Sequence, residues 1–164
     1  DILLGLSSSG LHTNGYSLVR KVFETVSWDT YFSEFNKSIG EVLLEPHRDY
    51  YSLLCNRLSH LKGLAHITGG GILENLSRII PDGLMGIVDL DSWEIPSIFK
   101  IIQKEGNIPL TDLKKKGMFE TFNMGIGMVL VVSPDEVSHF PEALPIGVIE
   151  GGNDAQRVSF KHLL

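Results

Sequence analysis

A chain of 164 residues has the length of one ordinary domain, and a composition 43% hydrophobic and 21% charged is that of a folded globular protein, not a disordered or fibrous one. Lys and Arg total 14 against 20 Asp and Glu, and the resulting charge of -6 repels phosphate backbones, which argues against a nucleic-acid partner while leaving local anion sites open. A single cysteine excludes an intrachain disulfide and any multi-cysteine metal site.

The opening DILLGLSSSG reads as a strand over Ile2 to Leu6 that runs into a turn. Its apolar run is too short for a signal peptide or a membrane span, which fits a cytoplasmic location without a membrane partner. The chain has no initiator methionine and starts on what reads as strand interior, so a piece of something longer is expected. After HTNG, residues Leu18, Val19, Val22, Phe23 and Val26 recur at helical spacing, with Asn14 as candidate cap. Trp28 to Pro46 carries mixed signals and reads as a loop or short helix. Tyr50 to Leu61 forms a second helical pattern that places Cys55 near the apolar stripe, as a packing thiol and not a nucleophile.

LAHIT reads as a strand. Beyond Gly69 to Gly71, residues Ile72, Leu73, Leu76, Ile79 and Ile80 share one helical face that stops at Pro81-Asp82-Gly83. MGIVDL is a strand, PSIFKIIQKEG a helix with proline near its start and glycine after its end, and IGMVLVV a strongly apolar strand. PDEVSHF reads as a short helix, PIGVIEG and RVSF as two closing strands. No internal repeat, low-complexity segment or linker interrupts the series. The irregular alternation favours a layered α+β domain over a regular doubly wound sheet.

The triple glycine follows a strand and opens a helix, where unpaired N–H groups and aligned peptide dipoles attract anions. Two readings are open there: a phosphate cradle, or a turn needed for tight strand-to-helix packing. The stretch is neither G-x-G-x-x-G with a downstream acid nor a Walker loop. His66 and Thr68 alternate on the preceding strand and would share a face pointing at the same anion, although His66 also reads as a structural histidine. SSSGLHTNGYS is a second strand-to-helix junction. Its hydroxyls, His12 and Asn14 supply neutral donors and one group titrating near physiological pH, or simply a turn with an Asn cap. Asp89 and Asp91 share a strand face, as metal carboxylates would, but read more simply as a solvated strand end. Gly125 and Gly127 beside Asn123 mark close backbone approach or a bulge. Lys114 to Lys116 read as a solvated helix end. None of the 6 histidines has the HExxH or C-x-x-C context of a metal site, and none is expected.

In this order, SSSGLHTNGYSLVRKV, GLAHITGGGILENLSRIIPDG, DLDSWEIPSIF and FETFNMGIGMVLVV resemble the C-terminal domain of the aminoimidazole ribonucleotide synthetase family. These enzymes are also called phosphoribosylformylglycinamidine cyclo-ligases and belong to purine biosynthesis. The triple glycine and TFNMGIGM together separate this family from its looser superfamily, and the family usually carries proline or alanine where this chain has Ser7. The resemblance implies one domain over residues 1–164, an α/β/α layering with a mixed sheet flanked by helices. It also implies an ATP-dependent ligase: phosphorylation of the formyl oxygen of formylglycinamidine ribonucleotide makes a leaving group, which an amidine nitrogen displaces to close the imidazole ring.

In that family ATP and Mg2+ are held largely by an N-terminal domain that also forms a homodimer. The sequence from Asp1 is expected to lack that domain, so no cofactor is expected on this chain and it is expected to be inactive alone. By the same resemblance Gly69, Gly70 and Gly71, with Thr68 and His66, would hold the substrate 5′-phosphate. His12, Asn14 and Asn123 would be catalytic, and Ser8 and Ser9 would line the interdomain cleft. The alternatives are a related synthetase domain of the formylglycinamidine ribonucleotide synthetase type, or a non-catalytic ribonucleotide-binding module.

Overall fold

A computed structural model describes residues 1–112, 117–152 and 157–162; the lysine run Lys114 to Lys116 lies outside them. Two apolar strands set the architecture. β1 (Ile2–Ser7) pairs antiparallel with β6 (Ile126–Val132), and every residue of β6 is buried. β4 (Gly63–His66) lies antiparallel on the far side of β6, and β7 (Leu144–Gly151) on the far side of β1. β5 (Leu84–Asp89) extends the sheet from β7, and β8 (Val158–Lys161) closes it, parallel to β5. The order is β4-β6-β1-β7-β5-β8.

Strand alternation feeds two cores, one on each face of the sheet. Val129 and Val131 enter the larger one, with residues of α1 (Tyr16–Val22), α4 (Gly71–Ser77), α5 (Ser97–Gly106) and α6 (Met118–Thr121). Met128, Leu130 and Val132 enter the smaller one, with Leu4, Leu6, Tyr50, Leu54 and Phe140. Its cover is slight: α3 (Tyr51–Leu54) and 3-10 turns at Leu58–His60 and Pro134–His139. The mixed sheet flanked by helices is therefore as expected.

Local differences have local causes. The helix expected over Tyr50 to Leu61 stops after one turn, where Arg57 leaves helical geometry and pairs with Glu142 at 2.5 Å. Cys55 consequently sits half-buried at the end of α3 instead of inside an apolar stripe. The Trp28 to Pro46 segment contains a small hairpin of β2 (Tyr31–Phe32) and β3 (Lys37–Ser38), followed by α2 (Ile39–Leu43). That helix starts with a reciprocal cap: the Glu41 N–H donates to Ser38 Oγ at 3.3 Å and the Ser38 N–H donates to the Glu41 carboxylate at 2.8 Å. At α1 the capping position is Gly15, not Asn14, and no side chain caps it.

Candidate functional site

The C-terminal ends of β1 and β4 and the start of β6 lie at one end of the sheet, because β6 runs antiparallel to both. Ser7 pairs with Ile126 and Leu6 with Met128, so Gly127 is an extra residue that bulges β6 there. A Cβ on Gly127 would lie 2.5 Å from His12 Cε1 and would overlap the Tyr50 hydroxyl. Its glycine is therefore the space into which both rings fit. The loop after β1, the glycine turn after β4 and the residues before β6 all converge on this point.

Asn123 organises the convergence. It is 2% exposed; its Oδ1 accepts from Ser8 Oγ at 2.9 Å and from the Gly125 N–H at 2.8 Å, and its Nδ2 donates to the Gly10 carbonyl at 2.8 Å. Asn123, expected among the catalytic contacts, is tied by these bonds to the Ser8 to Gly10 loop and to Gly125, which it positions. Ser8 and Ser9 are half-buried, and both border a cavity of about 230 Å³ with Gly10, Phe35, Val42 and Pro96. Ser9 Oγ also donates to the Pro46 carbonyl at 2.6 Å.

The three glycines answer to three different neighbours. A Cβ on Gly69 would meet only Asn14 Oδ1, at 3.7 Å, so this glycine faces the loop after β1. Gly70 caps α4 with φ 97°, and a Cβ there would strike the Glu74 carboxylate, which is turned toward Arg78 by an ion pair. Gly71, at φ 62°, is pressed against α6, and a Cβ would overlap the Phe119 carbonyl oxygen. Packing therefore decides Gly71, whereas Gly69 and Gly70 present N–H groups without a partner among the described residues. Asn75 holds the turn from beneath: its Nδ2 donates to the carbonyls of Gly71 at 2.8 Å and of Thr68 and Gly69 at 3.3 Å, and its Oδ1 accepts from Thr68 Oγ1 at 3.1 Å. Asn75 was not foreseen, although an amide on the buried face of a helical pattern is a signal in itself.

A strap that sequence periodicity does not reveal crosses the site from Pro46 to Tyr50. Arg48 donates to the Ser7 carbonyl at 2.9 Å and to Ser7 Oγ at 2.5 Å, while the Tyr50 hydroxyl donates to the same carbonyl at 3.0 Å. His47 stacks over His12 with ring centroids 3.9 Å apart, and its Nε2 lies 3.2 Å from His66 Nε2. The signal available in the sequence was the clustering of His47, Arg48 and Tyr50 in a stretch without helical spacing.

Burial sets the charge of these groups. His12 is 6% exposed and sits at φ 61°; desolvation first, then His47, His66 and Arg48, lowers its pKa to about 4. His66 is also lowered, by desolvation and then by His47, and burial pushes the Tyr50 phenol up to about 12. Burial thus favours the uncharged imidazoles of His12 and His66 beside the Arg48 guanidinium. Because folding lowers the His12 pKa, the unfolded chain binds the extra proton between about 4 and 6.5. The His12 contribution to stability should then be full above pH 6.5 and be lost as pH drops toward 4, at a cost of about 3 kcal/mol. Urea midpoints measured from pH 7.5 to 4.5 should show this slope, and His12→Asn, whose side chain tolerates the left-handed backbone, should flatten it. An unchanged slope in that variant would place the titration elsewhere.

Asp89 and Asp91 lie away from this site, at the end of β5, where Asp89 accepts from the Asp91 N–H and pairs with His162 at 3.0 Å. That solvated cluster is the strand-end reading. Among the described residues no helix is long and apolar enough to cross a membrane.

A family model described as AIR synthase related protein, C-terminal domain, matches residues 1–154. A phosphoribosylformylglycinamidine cyclo-ligase of Pseudothermotoga lettingae is 51% identical over 141 residues, which are 85% of this chain and 40% of that protein. A second, of Caldicellulosiruptor bescii, is 44% identical over 168 residues, 94% of this chain and 48% of that protein. A bifunctional purine biosynthetic protein of Dictyostelium discoideum is 50% identical over 151 residues, 88% of this chain and 18% of its own length. The chain thus spans less than half the length of these relatives. Among solved structures, thiamine-monophosphate kinase from Stenotrophomonas maltophilia superposes with a TM-score of 0.59 at 14% identity, over 98% of this chain and 49% of that one, a likeness of fold.

Proposed function

The chain belongs to the family of the AIR synthase related protein, C-terminal domain, and from that premise we propose that it is the substrate-side part of a phosphoribosylformylglycinamidine cyclo-ligase. Its reaction would be the ATP-dependent closure of formylglycinamidine ribonucleotide to aminoimidazole ribonucleotide, in the cytoplasm. The observation that carries this reading is the meeting of Asn14 with Gly69, which joins the two loops of the family pattern at one end of the sheet. Gly69 and Gly70, with Thr68 and His66 beside them, would receive the ribonucleotide phosphate, with Glu74 held back by Arg78. His12 and Asn14 would act as neutral hydrogen-bonding partners of the reacting portion; an imidazole kept uncharged offers one N–H and one lone pair.

The residues present do not fit Mg2+, which seeks several hard oxygen ligands; this site offers imidazoles, hydroxyls and a guanidinium, with Glu74 as the carboxylate at the glycine turn. ATP and Mg2+ are therefore assigned to the remainder of the enzyme, which would also form the homodimer. Leu44 and Tyr51, 82% and 78% exposed on either side of the strap, give that remainder an apolar surface to cover.

Calorimetric titration of the chain with formylglycinamidine ribonucleotide tests the site, beside Gly70→Asp, which adds a negative charge at the phosphate position. Binding by the parent and its loss, by at least about tenfold, in a folded Gly70→Asp are expected. Adding the ATP-binding part of a relative in trans should restore ring closure. Equal binding by both proteins would overturn the phosphate assignment, and persistent inactivity despite association would overturn the enzymatic one.

A further inference from the structure

Three histidines from three separate segments meet at the mouth of this site: His12 from the loop after β1, His47 from the strap and His66 at the end of β4. One ring nitrogen of each lies within 4.8 Å of those of the other two. We propose that His12, His47 and His66 form a three-nitrogen site for a divalent transition-metal ion of the zinc class, with a fourth coordination position open. This site shares His12 and His66 with the proposed substrate contacts but is argued from its own geometry and does not rest on the purine reading.

The first support is tautomeric. His47 Nδ1 lies 2.7 Å from the Arg48 carbonyl oxygen, which can only accept, so Nδ1 carries the proton and Nε2 presents its lone pair. Histidine ligands are oriented in this manner by a carbonyl behind them. That lone pair faces His66 Nε2 at 3.2 Å. Two nitrogens about 2.0–2.1 Å from one tetrahedral zinc ion stand about 3.3–3.4 Å apart, so this pair is already at ligand spacing. On binding, His66 moves its ring proton to Nδ1 and the ion replaces the hydrogen shared between the two rings.

The second support is His12. It is buried, locked by its left-handed backbone, and its Nδ1 has no hydrogen-bond partner among the described residues. A buried polar atom without a partner is uncommon, and an ion would supply one. Ligation through Nδ1 puts the ring proton on Nε2, giving up only the long 3.3 Å bond from the Ser9 N–H. The exposed His47 ring must also slide outward from its 3.9 Å stack on His12, since rings sharing a tetrahedral ion lie farther apart. An all-imidazole set selects Zn2+, Co2+, Ni2+ or Cu2+ over Mg2+ and Ca2+. The exposure of His47 and His66 leaves the fourth position accessible.

A second cluster, His60, Glu136 and His139, serves as the internal control. It lies in the two 3-10 turns, with Glu136 Oε2 already accepting from His60 Nδ1 at 2.6 Å. Co2+ titrated into the full 164-residue chain and followed by visible absorption should bind at one equivalent and be displaced by Zn2+. His47→Ala and His66→Ala should each weaken binding by at least about 100-fold, while the pair His60→Ala and His139→Ala should leave it unchanged. Three results would overturn the proposal: no saturable one-equivalent site in the folded parent, binding that survives in the His47→Ala/His66→Ala double variant, or binding lost in the control pair. Ribonucleotide titration of the parent and of His47→Ala, a residue the purine reading does not use, is read separately, so failure of one site does not decide the other.

Discussion

Gly71→Ala is expected to lose about 3–5 kcal/mol of stability. The cause is double. At φ 62° an L side chain is strained, and the new carbon would overlap the Phe119 carbonyl oxygen, a backbone atom that cannot turn aside. Either α4 or α6 must move, and both feed the larger core. Gly83→Ala separates the two causes, because Gly83 has φ 76° but nothing within 4 Å of its Cβ position; it should lose only about 1 kcal/mol. Gly69→Ala, with normal φ and one contact at 3.7 Å, should be nearly neutral. Urea unfolding of the three variants gives the ranking directly. A Gly71→Ala midpoint no lower than that of Gly83→Ala would show that the close approach to Phe119 is absent in solution.

Asn123→Ala comes next, at about 2–4 kcal/mol. The substitution removes one acceptor of two bonds and one donor, leaving the buried Gly125 N–H and Gly10 carbonyl to find other partners. The remaining link between these loops, the Ser8 N–H to the Gly125 carbonyl at 2.8 Å, would be weakened with them. Amide exchange should report this locally: Gly125 and Ser8 should exchange much faster, while β6 beyond the bulge keeps its protection. A loss below about 1 kcal/mol with unchanged exchange at Gly125 would assign the loop geometry to other contacts.

Much of this fold is legible in the residues because the periodicities are clean. IGMVLVV reads as a strongly apolar strand, and the α5 stripe of Ile98, Phe99, Ile101 and Ile102 fixes both the helix and its inner face. Helix over Tyr50 to Leu61 was a misreading of the same kind of signal. Leu53, Leu54, Leu58 and Leu61 have helical spacing, but the smaller core and the Arg57 pair to Glu142 reward a broken turn instead. The α2 start was available in Ser38-x-x-Glu41 and was obscured by the mixed segment around it.

At the site, the two glycine-containing junctions announced themselves by composition. The strap did not, because Arg48, Tyr50 and His47 act across 34 or more residues of chain, by packing on Ser7, His12 and Gly127. Nothing local in EPHRDYY encodes those neighbours. Asn123 shows the opposite limit. An asparagine beside two glycines was visible, but whether its amide faces a ligand or its own loops depends on burial, which spacing does not express.

The sheet order has a consequence for how the chain is made. β1 is central, yet its two neighbours, β6 and β7, are among the last strands in the sequence. At a synthesis rate of roughly 5–20 residues per second, Ile2 to Leu6 leaves the ribosome several seconds before either partner exists. For that interval a five-residue apolar strand has both hydrogen-bonding edges unpaired, the condition in which strands join foreign chains. The middle of this sheet therefore cannot form until β6 and β7 are made, and the yield of folded protein depends on keeping β1 from other partners until then.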